Sequence, residues 1–371
     1  MMGEENISLL IKGAKFDVSG PSRRPGCEGK WIYTSTCGGR KVKILKILLD
    51  NRCENNCLYC LHRRDSPVER TFFTPEKLAQ FFWNLYLKGK VEGLFLSSAT
   101  GFSPENTLEK MLKTVEIIRE KFRFTGYIHL KVLPFSPSEY IEEASRLATR
   151  LSINLEAPSS KHLAKIAPDK SWDNLFSLLK RLSEISRRKP LPGGITTQFV
   201  VGPGGEKDLE LLNLSYYLYR ELGLKRVYYS PFHPLPNTPL SRYPATSLLR
   251  EHRLYQADFL IRNYGFKPED FFFQEGNLPL NIDPKLLWAI KNPHFFPVEI
   301  NQADYFTLLR IPGIGPVSAK KILEKRKRGK ITSFQELKEL GIHLKRSLPF
   351  ITVNGKRERR KEENFLPLLT L

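Results

Sequence analysis

The chain has 371 residues, 41% hydrophobic and 26% charged, enough for a large core and two domains. It contains no run of about 18 uncharged apolar residues. Its opening, MMGEENISLLIKGAKFDV, lacks the basic start and apolar stretch of a secretory signal, so a cytoplasmic protein with no membrane partner is expected. The formal charge of +20 favours polyanionic partners, and residues 316–361 hold 15 Lys or Arg against 4 Asp or Glu, a net +11.

Residues 1–40 are rich in Gly, Ser and Arg and show little periodicity. From Val42 onward, apolar strand-like runs occur at 42–50, 93–98, 127–132, 151–157, 196–201 and 226–232. Helical stretches lie between them. One opens at Pro75 after Thr74 and another at Pro104 after Ser103, both suited to a capped first turn. Six strand–helix repeats predict a parallel sheet, either open and doubly wound or a partly closed barrel. In both, ligands gather at the rim where strands end. Proline becomes dense at 230–240, a helical stretch covers 248–265, and an aromatic, proline-containing connector follows over 266–297.

Three of the five cysteines, Cys53, Cys57 and Cys60, fall in CENNCLYC directly after the first predicted strand. Five cysteines with three clustered do not form an even-numbered disulfide framework. Clustered thiolates suit zinc, copper(I) or an iron–sulfur cluster. A structural zinc site normally closes with four ligands, often as two Cys-x-x-Cys pairs, and no second pair exists here. A cubane cluster can be held by three cysteines on a tight loop, with its fourth iron open to a substrate or cofactor. A fourth ligand from Cys27 or Cys37 would instead close the cluster and make an electron carrier.

Cys-x-x-x-Cys-x-x-Cys with Tyr59 before the last cysteine, placed after the first strand of a six-fold βα series, resembles the radical S-adenosylmethionine (radical SAM) superfamily. The resemblance implies a partial (β/α)6 TIM-like barrel of α/β class. It also implies a [4Fe-4S] cluster with S-adenosyl-L-methionine on the open iron. One electron from an external reductant, such as a ferredoxin or flavodoxin, then cleaves the sulfonium to a 5′-deoxyadenosyl radical. Ser97 and Ser98, in LFLSSATG, stand where the superfamily has a glycine-rich stretch holding the cofactor's amine. Asn154 and Glu156, in INLEAP, resemble a polar pair at the fourth strand's end, where a carboxylate accepts from ribose hydroxyls. Alternation puts both on one face. QFVVGPGGE, from Gln198, resembles the fifth-strand region packed on adenine, and SPFHPLPNTPL the loop after the sixth strand, with Asn237 where Gly is common. Lys131 and His129 share a face of the third strand, Tyr229 and His233 are candidates for the mouth, and Arg63 and Arg64 for anionic groups.

VEINQADYFTLLRIPGIGPVSAKKILEKR (298–326) reads as a helix over 301–309, the turn IPGIG and a second helix opened by Pro316. It resembles helix-hairpin-helix DNA-binding modules. Gly313 and Gly315 allow close approach of another backbone. The turn's amides and the helix N-terminus make a phosphate site, with Lys320 and Lys321 adding charge. SFQELKELGIHLKRSLPFIT resembles a partner hairpin that lacks its second glycine. The domains expected are an extension (1–40), the radical SAM partial barrel (41–240), a helical connector (241–297), a small all-α helix-hairpin-helix domain (298–355) and a basic tail (356–371). From the cysteines to IPGIG the chain resembles a family described as DNA modification or repair radical SAM proteins. This implies DNA as partner, and a DNA repair protein as another. RNA modification and a non-catalytic iron–sulfur DNA-binding protein are the alternatives.

Overall fold

The structure is a computed structural model that describes residues 4–14, 32–37, 40–342 and 344–358. Cys27 and the tail beyond 358 lie outside the described residues, as does the side chain of Cys37. Chain contacts divide it into two compact units at Glu251–His252.

Among the described residues of the first unit, seven strands form one sheet in chain order. They are β1 (Ile32–Cys37), β2 (Arg40–Leu48), β3 (Gly93–Ser97), β4 (Tyr127–Lys131), β5 (Arg150–Ser152), β6 (Gly194–Val201) and β7 (Arg226–Pro231). Strands β2 to β7 run parallel, and the sheet curls into a half-barrel with helices in its crossovers. These are α2 (Pro75–Leu87), α3 (Pro104–Glu116), α4 (Ser138–Leu147), α5 (Ser160–Ala164), α6 (Trp172–Arg188) and α7 (Asp208–Arg220), preceded by α1 (Glu4–Ala14). The expected starts hold at the atomic level: Thr74 accepts from the Lys77 amide and Ser103 from Asn106, and Ser171 does the same for Asn174 at the start of α6. Each satisfies an amide that the helix itself cannot.

Two features depart from the sequence reading. Residues 1–40 are not featureless, because α1 packs against β2 and β1 adds an antiparallel edge strand to it. Leu10 and Ala14 are fully buried in that contact. A helix of 11 residues is marginal alone and is held here by packing. The predicted strand over 151–157 ends at Ser152. Glu156 adopts a left-handed φ of 64°, which a regular ladder does not accommodate. The chain stays beside β6 through the Ile153 and Glu156 amides, which donate to Thr196 and Gln198 carbonyls.

Helix α8 (Leu248–Tyr264) contains the division between units. The second unit holds α9 (Pro284–Lys291), α10 (Tyr305–Arg310), α11 (Pro316–Arg328), α12 (Phe334–Glu339) and α13 (Leu344–Ser347). A short parallel pair, β8 (Val298–Glu299) and β9 (Ile351–Thr352), joins its ends. The aromatic stretch expected as a connector supplies core. Trp288 meets Phe266, Phe295 and Phe296, and Phe296 meets Phe350 with ring centroids 4.9 Å apart. The first hairpin helix starts at Tyr305 rather than 301, because Asp304 caps it through the Thr307 amide.

Candidate functional site

One cavity opens at the strand ends of the half-barrel. It is lined by all ten residues assigned from the sequence to the cluster or the cofactor: Cys53, Cys57, Cys60, Tyr59, Ser97, Ser98, Lys131, Asn154, Glu156 and Gln198. The loop carrying the thiols leaves β2 and is fastened on three sides. Arg70 donates to the carbonyls of Asn51 (2.7 Å), His62 (3.0 Å), Arg63 (2.6 Å) and Ser66 (3.1 Å), drawing the loop's two ends onto one guanidinium. The Leu58 amide donates to Ile166 O and the Asn56 amide to Asp169. Leu240, in the loop after β7, donates to Leu58 O.

The three cysteines are free thiols. Burial, and then the neighbouring Cys57, pushes the Cys60 thiol up to about 12, opposed by the His62 amide that donates to its sulfur at 3.3 Å. Burial also raises Cys57, and Lys170 opposes it. Clustered thiols, two of them disfavoured as thiolates by burial, are a donor set whose charge a cationic cluster would offset. No three His, Cys, Asp or Glu side chains among the described residues converge as ligands of a single ion. A cluster asks for less convergence, since each thiolate meets its own iron. The Ser97 hydroxyl oxygen is buried in the cavity wall with no hydrogen-bond partner, an orphan that a bound polar group would satisfy. On both counts the residues fit an iron–sulfur cluster with a polar cofactor beside it.

Lys170 is a component that sequence reading missed. Its Nζ lies 2.8 Å from Glu156 Oε1; the Glu156 side chain is buried and that of Lys170 keeps only 12% exposure. Burial opposes the ammonium, but Cys57 and Glu156 outweigh it and raise Lys170 above its ordinary value. Glu156 also accepts from Tyr59, whose phenol burial and that carboxylate push well up. Glu156 therefore ties the cluster loop, through Tyr59, to the segment after α5. Thr100 contacts the Cys53 sulfur at 3.3 Å. Gly13 of α1 also lines the cavity, and a Cβ there would meet His62 and Leu48 at 2.5 and 2.7 Å. Lys170 lies in the segment APDK (167–170), which has no spacing relation to the cysteine loop in the sequence.

The other candidates divide. His233 lines the cavity, but Tyr229 does not; it is fully buried, and its hydroxyl donates to Ser215 of α7. Strand alternation turns it away from the barrel interior. His129 lies in a smaller cavity, stacked on Phe95 at 4.1 Å and 2.9 Å from the Ser152 hydroxyl. Arg63 donates to Asn56 and Arg64 to the Glu54 carbonyl, both within the cluster loop. Asn237 adopts a φ of 62°, the left-handed conformation that favours Gly and tolerates Asn.

In the second unit, Gly313 has a φ of 85° in the turn and Gly315 caps α11. Lys320 is exposed, whereas Lys321 donates to the Leu340 carbonyl at 2.9 Å and so closes α12. Among the described residues, no helix is long and apolar enough to cross a membrane.

The radical SAM superfamily profile matches residues 47–214, and that of the helix-hairpin-helix motif matches residues 295–341. No curated protein matches significantly. Similar solved structures include the FeFe-hydrogenase maturase HydG from Carboxydothermus hydrogenoformans, 17% identical with a TM-score of 0.47, covering 58% of this chain and 50% of that one. Methylornithine synthase PylB is 17% identical with a TM-score of 0.48, over 58% of this chain and 60% of its own. This chain thus spans only about half to three fifths of those proteins. The chain thus carries a radical SAM domain over residues 47–214, followed by a helix-hairpin-helix motif over residues 295–341.

Proposed function

We propose that the protein is a [4Fe-4S]-dependent radical SAM enzyme that acts on DNA, in base modification or the repair of damage. The observation that carries the first half is the single cavity in which three thiols, an orphaned serine hydroxyl and a ring of polar side chains meet. Cys53, Cys57 and Cys60 hold the cluster. When bound, cluster and cofactor supply one-electron cleavage of the sulfonium and a carbon radical that abstracts hydrogen. Ser97 offers its hydroxyl to the cofactor's amine, while Ser98 donates to the Asp50 carbonyl and braces that strand end. Lys131 would meet the cofactor's carboxylate, and Asn154 and Gln198, which line the same cavity, its nucleoside. Glu156, held by Lys170 and Tyr59, positions the loop and turns its remaining acceptor capacity to the ribose. Leu133, Val200 and Phe232 line the same cavity and keep water from the reacting atoms.

The second half rests on the hairpin motif and the basic charge around it. Gly313 and Gly315 admit a phosphate to the turn's amides, and Lys320 adds charge. Lys321 contributes by holding α12. Such contacts fix the protein on a backbone without reading bases. An enzyme acting on a base within duplex must expose it first. An external one-electron donor such as a ferredoxin or flavodoxin completes the reaction in the cytoplasm, with a DNA repair protein as a further partner.

The test is anaerobic reconstitution and reduction, followed by addition of S-adenosylmethionine. A change in the cluster's paramagnetic spectrum and formation of 5′-deoxyadenosine are expected. Absence of both, with duplex DNA present, sinks the enzymatic reading. Tighter binding to structured RNA than to duplex DNA at matched salt would replace the DNA reading by an RNA one. Gly313→Val forces a β-branched residue to a φ of 85°. It should weaken DNA binding at least about fivefold, with iron content unchanged. Unaltered affinity in a salt titration refutes the phosphate role of that turn.

A further inference from the structure

A buried lysine stands behind the hairpin turn. Lys285, in the first turn of α9, is 9% exposed, and its Nζ donates to the Ile314 carbonyl at 2.6 Å. Ile314 lies in the turn between Gly313 and the α11 cap, Gly315. The ammonium also sits 4.7 Å from the centroid of the Tyr264 ring. A Cβ on Gly315 would come within 3.1 Å of the Tyr264 hydroxyl, so lysine, tyrosine and glycine pack as one cluster.

The peptide plane gives this contact a consequence. In a trans peptide the carbonyl and the following N–H point in opposite directions. A lysine that holds the Ile314 carbonyl on one side therefore aims the Gly315 N–H to the other. Pro316 has no N–H, so the donors at the start of α11 are the amides of Gly315, Val317 and Ser318. The first turn of α11 carries no acidic residue. The ammonium's charge acts on an anion at those amides across the buried Ile314, where screening is weaker than in water.

We propose that Lys285 is a positioning residue for the phosphate site, aligning the Ile314–Gly315 peptide and coupling DNA affinity to its own protonation. The proposal rests on the reading of the hairpin as a phosphate site. It adds a pH-dependent grip that surface lysines and arginines, charged throughout the neutral range, do not supply.

The groups facing Lys285 set the direction. Burial lowers its affinity for a proton most. Asp283, which caps α9 and pairs with Arg346 of α13, raises it, and Arg346 lowers it, leaving the value at about 7. Tyr264 and the Ile314 carbonyl contribute a ring face and an oxygen, both favourable to the ammonium. A bound phosphate favours it further, so the value is higher in the complex than in the free protein. Affinity is then complete below the free value, near 7, and is lost as pH rises through the bound value.

The experiment uses the full chain and a short DNA duplex at fixed salt, with anisotropy at about pH 6.5 and about pH 8.5. Calorimetry in two buffers of different ionisation enthalpy counts protons. The wild-type protein should lose about fivefold in affinity across that range and take up protons on binding near neutrality. Lys285→Met should bind at the lower pH only as well as the wild type does at the higher, with the slope and the proton uptake removed. Lys285→Arg should keep the tighter affinity at both values. A wild-type slope retained in Lys285→Met overturns the proposal, as does wild-type binding without proton uptake. Should Lys285→Met fail to fold, the wild-type proton count and the Arg variant decide. Absence of duplex binding by the wild type at every pH overturns the hairpin reading as well, which distinguishes the two failures.

Discussion

Cys57→Ala should abolish the iron–sulfur chromophore and, with it, formation of 5′-deoxyadenosine. Cys57 is 7% exposed and sits at the centre of the loop, between the other two thiols in sequence. Loss of a mere supporting hydrogen bond around a metal typically costs 10–100-fold in affinity or activity, so loss of a ligand should exceed about a hundredfold. The fold should survive, because the loop is fastened by Arg70 and by the Leu58 and Asn56 amides rather than by the thiol. Iron and sulfide analysis of the anaerobically reconstituted variant, alongside its circular dichroism, checks both halves. Full cluster content in Cys57→Ala would mean that another residue, Cys27 or Cys37 among them, supplies a ligand. The open-iron reading would then fall.

Lys170→Met should destabilise the first unit strongly. It would leave Glu156 buried at 4% exposure without its ammonium partner, and removing one member of a buried pair costs about 3–5 kcal/mol. For a unit of this size that is a fall in Tm of roughly 6–20 °C. The pair itself is not predicted to be worth that much, since desolvation of both ions offsets most of their attraction. Lys170→Met combined with Glu156→Gln should therefore recover much of the loss, because Gln still accepts from Tyr59. Thermal unfolding of the two single variants and the double variant closes the cycle. A single Lys170→Met variant melting with the wild type would show that the pair does not hold the loop. In the cluster-loaded protein, Lys170→Met should also lower the reduction potential, since it removes a buried positive charge that acts on Cys57 and Cys53.

The parts legible in the sequence are those set within a few residues of each other. The spacing of Cys53, Cys57 and Cys60 constrains where their sulfurs can go whatever surrounds them. The caps at Thr74 and Ser103 satisfy amides three residues away, and the glycines of the hairpin turn meet a local backbone requirement. Periodicity of two located the strands, and their order in the sheet follows chain order, as short right-handed crossovers favour. Alternation served less well where parity had to be assigned. Tyr229 was placed at the mouth, but it is Tyr228 and Ser230 that face the interior cavities.

What tertiary structure decided has a common physical origin: the stabilising partner is distant in sequence. Helix α1 and strand β1 lack a pattern of their own and exist because Leu10, Ala14 and the edge of β2 bury one another. Lys170 becomes part of the site only when the chain after α5 is brought against the cysteine loop, because an ammonium can be buried only beside charges that offset its desolvation. Lys285 meets Ile314 from another helix, and Lys321 turns out to serve a carbonyl of α12. The sequence by itself determined the cysteine spacing, the βα series and the hairpin, because covalent spacing and local hydrogen bonding fix them. The electrostatic surroundings of those groups were decided by folding alone, because charge interactions depend on distance and burial through space.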